Sequence, residues 1–137
     1  MLNNVRSTFL KTTTGHSISV SIFLPKKSNH KSIVISSATG VLQKFYSKFA
    51  LHFTTLGFTV YTFDYYGIGK SSSQNLKQNT ANLQVWALDQ AAVLKLAKQK
   101  QPQHQLTLIA HSIGGQLLGL NPEIHLADSI IMIASQT

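Results

Sequence analysis

Short apolar runs alternate along this chain with segments of helical periodicity. Residues 17–25 (SISVSIFLP) alternate polar and apolar side chains, which is typical of a half-exposed strand closed by its proline. Further strands are predicted at 58–64 and 129–135. The runs at 31–36 (KSIVIS) and 105–110 (QLTLIA) are continuous enough to be buried strands.

Helices are predicted in the intervals between these strands. Residues 43–56 carry an apolar stripe that ends before Gly57: Phe45, Phe49, Phe53 and Leu56. A second helix is expected over about 80–100, with an exit at Pro102 and a buried side formed by Leu83, Trp86, Ala87, Ala91, Leu94 and Ala97. A short helix is expected at 113–120. Strands alternating with helices predict a single α/β domain.

Charge and composition narrow the classes of function. Twelve basic residues oppose four acidic ones, which gives a formal charge of +8 in 137 residues. Arg6 is the sole arginine, and the lysines are scattered, with one adjacent pair at 26–27. Because proteins that read bases usually rely on arginine, we expect no specific nucleic-acid binding.

The sequence contains no cysteine, so it has neither disulfides nor a thiolate metal site. Its histidines are not clustered, and we expect no metal and no cofactor. The first residues form no apolar core of signal-peptide length, and no segment approaches the roughly 20 apolar residues of a membrane span. These observations predict a cytoplasmic protein.

Residues 64–73 (DYYGIGKSSS) contain a Gly-Lys-Ser step that invites a phosphate-loop interpretation. A Walker loop requires glycine where Asp64 stands, and a dinucleotide fingerprint requires one where Ser72 stands. Neither pattern is met. The aspartate instead suits a sharp turn after a strand, accepting local backbone hydrogen bonds, while Gly67 and Gly69 permit positive φ angles.

Residues 110–114 (AHSIG) have the form of a nucleophile elbow, a strained turn between a strand and a helix. The positions two before and two after Ser112 must be small, as Ala110 and Gly114 are. The Ile113 N–H would face the oxygen of a tetrahedral intermediate. A second donor is expected from residues 36–41 (SSATGV), where either Ala38 or Thr39 is suitably placed. The alternative is an ordinary loop with a glycine turn.

Three segments together resemble the N-terminal half of an α/β-hydrolase-fold protein: SSATGV, FDYYGIGKS and AHSIGG. In order and spacing they cover about residues 17–135, and ATGV followed by FY is similar to one bacterial subgroup of predicted hydrolases. The resemblance implies a truncated α/β-hydrolase fold, with a mostly parallel sheet of about six strands and helices on both faces. Residues 1–137 would form the N-terminal portion of that domain, and many members carry arginine where Tyr66 stands.

The resemblance also implies a triad in the order serine, acid, histidine, with the last two after the seventh and eighth strands. Since 129–135 corresponds to the sixth strand, both partners of Ser112 are expected to be missing. His111 adjoins the serine, but neighbouring side chains on an elbow point apart. His125 and Asp128 precede the last strand, at the edge opposite the elbow.

We therefore expect a serine hydrolase of the esterase, lipase or acyl-hydrolase type, acting on a small ester or acyl substrate and impaired or inactive as this chain alone. The alternative is a non-catalytic α/β binding module or a self-associating fragment. The apolar last strand would pair either with a second copy or with a complementing C-terminal half.

Overall fold

The computed structural model describes residues 4–71 and 83–134, which form one mixed sheet covered by helices. The strand order is β1-β2-β4-β3-β5-β6; β1 and β2 pair antiparallel with their neighbours, while β3 to β6 are parallel. The strands are β1 Asn4–Lys11, β2 Ser17–Leu24, β3 Lys31–Ser36, β4 Thr59–Phe63, β5 Gln105–His111 and β6 Ser129–Ile133. The α/β class and the mostly parallel sheet of about six strands are confirmed.

Three α-helices follow the predicted intervals: α1 Ser47–Thr55, α2 Leu83–Lys100 and α3 Ile113–Gln116. Short 3₁₀ turns lie at Gln43–Tyr46, Gly69–Ser71, Leu118–Leu120 and Ile124–Leu126. The region predicted as one helix at 43–56 is therefore a 3₁₀ turn continued by α1. The predicted start of α2 at 80–82 and the end of the last strand at 135 lie outside the described residues.

The central strand β3 has a continuous apolar sequence because both of its faces are buried. Its side chains alternate between two cores, with Val34 on the α2 side and Ile33 and Ile35 on the α1 side. The small face of α2, which includes Ala87 and Ala91, lies against the sheet as predicted, whereas Leu83 is exposed. Helices therefore cover both faces of the sheet.

The predicted buried stripe of the first helix is wrong at three of its four residues, while Phe53 packs against the core. Phe45 is 70% exposed, and Phe49 and Leu56 are also exposed. The residues that pack on the sheet lie one position further round, at Tyr46 and Ala50. Hydropathy favoured the phenylalanines, but the approach of the helix to β4 brings the smaller Ala50 against the strand.

β1 was not identified from the sequence. Nearly all of its side chains are exposed, and it pairs on one side only, with β2. An edge strand with little burial leaves no regular apolar alternation to find. In the part of the chain that the structure describes, no helix is long and apolar enough to cross a membrane.

Candidate active site

Ser112 occupies the turn between β5 and α3, at the carboxyl end of the parallel strands. Its backbone has φ +55° and ψ −112°, a left-handed conformation that is costly for a residue with a side chain. The Ser112 N–H donates to the Ile133 carbonyl at 2.9 Å, so β6 helps to hold the turn. This is the sharp strand-to-helix geometry predicted for 110–114.

The small residues around Ser112 have a steric reason. A Cβ added to Gly114 would lie 2.9 Å from the Ser36 carbonyl oxygen and 3.1 Å from the Ser36 side chain. Ala110 is fully buried and is paired with Ser36 across β3 and β5. The elbow therefore packs directly on the end of β3, with no room for a larger residue.

A buried hydrogen-bond network connects the elbow to α2. The Gln90 Nε2 donates to the Ser36 Oγ at 3.0 Å and to the Gly114 carbonyl at 3.1 Å. The Asn121 Nδ2 donates to the Gln90 Oε1 at 2.8 Å. Sequence reasoning missed Gln90, which is fully buried in α2; the available signal was a polar residue within an apolar helix face.

The predicted oxyanion donors differ in their surroundings. Within the described residues, the Ile113 N–H donates to no acceptor. It is therefore available to a ligand, as an oxyanion donor must be. The Ala38 N–H donates to the Tyr46 hydroxyl at 3.1 Å. Thr39 is exposed beside it. Loop 36–41 thus lies near the elbow, but the Ala38 amide already has a partner.

His111 contacts Tyr46 rather than Ser112. Its Nδ1 lies 2.8 Å from the Tyr46 hydroxyl, and the two rings meet edge to face. Burial raises the Tyr46 pKa, and this effect exceeds the opposing effect of the Ala38 N–H. No hydrogen bond to the Ser112 hydroxyl is present in residues 4–71 and 83–134. His111 is therefore not arranged as its base.

Asp128 lies far from the elbow, and neither it nor His125 is hydrogen-bonded to Ser112 within the described residues. Asp128 accepts the Leu106 N–H at 2.8 Å and faces Lys98 at 3.6 Å. His125 lies 3.8 Å from the Glu123 carboxylate. Leu106 and Ser112 are six residues apart on one extended strand, or about 20 Å at roughly 3.3 Å per residue. The described residues therefore contain no histidine and acid arranged around Ser112.

The turn after β4 is built as predicted around Asp64. Its carboxylate accepts the backbone N–H of Gln43 at 2.8 Å and of Lys70 at 3.2 Å, while Gly67 and Gly69 have positive φ. A Cβ on Gly69 would lie 2.8 Å from the same carboxylate. This segment is therefore a structural turn that supports the loops beside the elbow.

Asp89 is a second buried carboxylate, which the sequence analysis did not single out. One oxygen accepts the Tyr66 N–H at 2.8 Å, whereas the other has no partner within the described residues. Burial raises its pKa to about 7, and the Tyr66 N–H opposes this only in part. The Tyr66 side chain stacks on His16, with ring centroids 3.9 Å apart. Because tyrosine is uncharged, Tyr66 forms no ion pair with Asp89.

No group of histidine and carboxylate side chains suited to a metal ion is present within the described ranges. The histidines away from the elbow have local roles. The Nδ1 of His104, for example, is 2.8 Å from the Ser32 hydroxyl, and burial lowers its pKa.

A family model described as serine aminopeptidase, S33, a group of α/β hydrolases, matches residues 27–122. The chain belongs to this family. The match includes the loop at 36–41, the turn at 64–71 and the elbow at 110–114, the segments from which the resemblance was recognised. Among curated proteins, no relative matches the chain.

Solved structures of α/β hydrolases share the fold. A thermostable carboxyl esterase from Bacillus coagulans, in complex with glycerol, superposes with a TM-score of 0.78 at 16% identity, over 93% of this chain and 43% of that one. A serine hydrolase without a lid from Xanthomonas campestris gives 0.75 at 19% identity, over 98% and 63%. The hydrolase GrgF from Penicillium sp. sh18 gives 0.78 at 17%, over 96% and 46%. The chain thus spans about half the length of these proteins.

Proposed function

We propose that this chain is the nucleophile-bearing portion of a serine hydrolase that acts on small esters or related acyl substrates, with Ser112 as the nucleophile. The observation that carries the proposal is the left-handed backbone of Ser112 at the end of β5. A strained φ at a non-glycine residue persists where the surroundings enforce it, and such positions cluster at functional sites. Gly114 packed on Ser36 provides that enforcement.

The chemistry assigned to the site is acyl transfer. The Ser112 Oγ forms a bond to the substrate carbonyl carbon, the C=O electron pair moves onto the oxygen, and the seryl proton passes to a base or to water. The resulting oxyanion is met by the Ile113 N–H and by a second donor from the 36–41 loop, where Ala38 and Thr39 are the proposed residues. The C=O bond then re-forms, the bond from that carbon to the alcohol oxygen breaks, and the alcohol leaves with a proton from the protonated base or from water. Water attacks the acyl-Ser112 ester in the same way, which releases the acid and restores the serine hydroxyl.

We propose that residues 1–137 form the N-terminal portion of the hydrolase domain and do not contain the acid and histidine of the triad. Support comes from the distance of Asp128 from the elbow and from the half-length match to solved hydrolases. Activity of this chain alone would be weak, because an oxyanion hole and substrate binding without a triad retain roughly 10³ to 10⁴ over water. A cytoplasmic location is proposed on the absence of cysteine.

The purified chain is expected to hydrolyse p-nitrophenyl acetate slowly, because this activated ester needs little help from a base. Ser112→Ala is expected to abolish this hydrolysis, because it removes the attacking oxygen. The measurement compares initial rates of wild type, Ser112→Ala and the buffer blank. Ser129→Ala, which removes an exposed hydroxyl from β6, is the matched control and should keep the wild-type rate. Equal rates for wild type and Ser112→Ala would contradict the assignment of Ser112.

A second candidate is a module that associates through β6, either with another copy of the chain or with a complementing C-terminal half. β6 is an edge of the described sheet, and its apolar side chains Ile130 to Ile133 are 41–49% exposed. No lysine or arginine occurs in residues 101–137, so this edge lacks the charges that commonly protect one. Antiparallel pairing of two β6 strands would cover these side chains.

Ile131→Lys is expected to lower the fraction of dimer, because a charge on β6 opposes strand pairing. Size-exclusion chromatography with light scattering would compare it with wild type. Phe9→Lys is the control, since it places the same charge at an exposed apolar residue on β1, the opposite edge. A monomeric wild type, or equal loss in both variants, would contradict self-association through β6.

A further inference from the structure

The α1 side of the sheet is covered over β2 and β4 but not over β6. α1 packs on β2 and β4. Ile109, in β5, belongs to the core cluster on that side, and its partner in β6 is Ile131. Paired residues on adjacent strands point to the same face of a sheet, so Ile131 and Ile133 also lie on the α1 side. Both are exposed. This face of β6 therefore lacks a covering element within the described residues.

An apolar groove lies between α1 and the end of β6. Phe45 and Phe49 are one helical turn apart, and their side chains are 70% and 38% exposed. They line a cavity of about 210 Å³ whose other walls include Ile109, His111 and Ile133. We call Phe45, Phe49, Ile109 and Ile133 the α1 groove. A cavity with apolar walls beside exposed aromatic rings suits the insertion of an apolar side chain from a partner.

Positive charge flanks the α1 groove. Lys44 and Lys48 each precede one of the two phenylalanines, and both lysines are exposed. Neither forms an ion pair within the described residues. Residues 1–63 contain no aspartate or glutamate, and Asp64, which follows them, is buried. An acidic surface is therefore the electrostatic complement of this side of α1.

A helix suits the α1 groove better than a membrane or a second copy does. Amphipathic helices bind apolar grooves through side chains spaced three or four residues apart, and helices cover both faces of parallel sheets. A flat lipid surface would leave the cavity unfilled. A second copy of α1 would bring lysine against lysine, between chains that each carry a formal charge of +8. The occupant that fits is a different segment, with acidic side chains.

We propose that the α1 groove binds an amphipathic helix whose apolar face is flanked by aspartate or glutamate, and that the complementing C-terminal half supplies this helix. Ile133 belongs both to β6 and to the groove, so one partner would cover the sheet edge and its α1 face together. The chain matches 43% and 63% of the length of two solved hydrolases, so further polypeptide accompanies the fold in those proteins. The inference rests on the proposed association with such a half, and not on the chemistry of Ser112.

The test is the binding of a synthetic peptide to the purified chain. The peptide is about 18 residues long, or about five helical turns, with leucine on one face, glutamate on both sides of that face and alanine elsewhere. A second peptide has lysine in place of glutamate. Fluorescence anisotropy of a fluorescein label gives both dissociation constants. We expect the acidic peptide to bind at least about 10-fold more tightly than the basic one, because only the former meets opposite charge beside the groove.

Two variants on the α1 side locate the binding site. Phe45→Ser is expected to weaken binding of the acidic peptide about 10-fold or more, as loss of an aromatic anchor does. Lys48→Glu is expected to weaken binding of the acidic peptide and to strengthen binding of the basic one. Phe9→Ser and Lys11→Glu are matched controls at exposed residues of β1, the opposite edge of the sheet, and should bind both peptides as wild type does. Circular dichroism establishes that each variant is folded.

The outcomes separate this inference from the proposed function. No binding of the acidic peptide, equal affinity for the two peptides, or equal loss in the groove and control variants would each overturn the inference. Binding to phosphatidylglycerol vesicles that Phe45→Ser abolishes, without binding of the peptide, would overturn it in favour of a lipid-binding surface. Ser112→Ala should bind the acidic peptide as wild type does. Equal hydrolysis of p-nitrophenyl acetate by wild type and Ser112→Ala would therefore overturn the role of Ser112 and leave the α1 groove as a helix-binding site.

Discussion

Asp89→Asn is expected to stabilise the protein at pH 8 and to remove part of the pH dependence of its stability. The Asp89 pKa is raised by burial from 3.8 to about 7 in the folded protein. Between these values the folded state binds more protons than the unfolded state. The contribution of Asp89 to stability is therefore fully present below about pH 4 and is lost as the pH rises through about 7.

The size of the effect follows from the buried, half-satisfied carboxylate. Raising the Asp89 pKa from 3.8 to about 7 corresponds to roughly 4 kcal/mol, at about 1.4 kcal/mol per pKa unit. At pH 8 we therefore expect the protonated and ionised forms of Asp89 to differ by about 2 to 4 kcal/mol in their contribution to the free energy of unfolding. Asparagine keeps an oxygen for the Tyr66 N–H without placing a charge beside it. The variant should therefore be more stable than wild type above pH 7.

Urea unfolding of wild type and Asp89→Asn at pH 4, 6 and 8 measures this difference. Asp128→Asn is the matched control, because the same chemical change falls on an exposed side chain beside Lys98. Asp128→Asn should not be more stable than wild type at pH 8, because it loses the contact with Lys98. A destabilised Asp89→Asn at pH 8, with a pH dependence equal to that of wild type, would show that the carboxylate is needed in its charged form.

Gly114→Ala is expected to destabilise the protein and to displace the elbow. In an ordinary helix, replacing glycine by alanine gains roughly 0.5 to 1 kcal/mol. Here the added Cβ would lie 2.9 Å from a backbone oxygen, at Ser36, which cannot rotate away. Forcing an extra methyl into such packing costs about 1 to 3 kcal/mol.

Gly119→Ala is the control for this substitution. A Cβ on Gly119 would contact nothing within 4 Å, although the residue lies only five positions further along the chain. Thermal unfolding should therefore show a lower midpoint for Gly114→Ala and an unchanged or higher one for Gly119→Ala. Gly114→Ala should also hydrolyse p-nitrophenyl acetate more slowly than wild type does. Equal midpoints would mean that β3 and the elbow separate at little cost.

Asp89 and Gly114 are linked through α2. Asp89 and Gln90 are consecutive on the buried side of α2, and each holds a different loop. The Asp89 carboxylate accepts the Tyr66 N–H, in the turn after β4. The Gln90 side chain donates to the Gly114 carbonyl and to the Ser36 hydroxyl. α2 thereby ties the 64–71 turn and the elbow to the same rigid element, which keeps the strained Ser112 in place.

Local pattern was sufficient for most of the architecture. Continuous apolar runs at 31–36 and 105–110 predicted the central strands, because both faces of a parallel sheet must be buried. Small residues on each side of Ser112 predicted the elbow, because a strained turn excludes bulk nearby. Asp64 and its glycines predicted the turn after β4. Each of these signals lies within a few residues of the feature that it predicts.

Tertiary structure decided what depends on residues distant in sequence. The packing of Tyr46 and Ala50 rather than Phe45 follows from the orientation of α1 on the sheet. The partners of Ala38 and Gln90 lie 8 and 54 residues away, so no local spacing reveals them. Sequence by itself determined which segments form β2 to β6, the helices and the strained turn at Ser112. Only the fold determined which polar atoms meet at that turn, because hydrogen bonds between distant residues depend on how the elements pack.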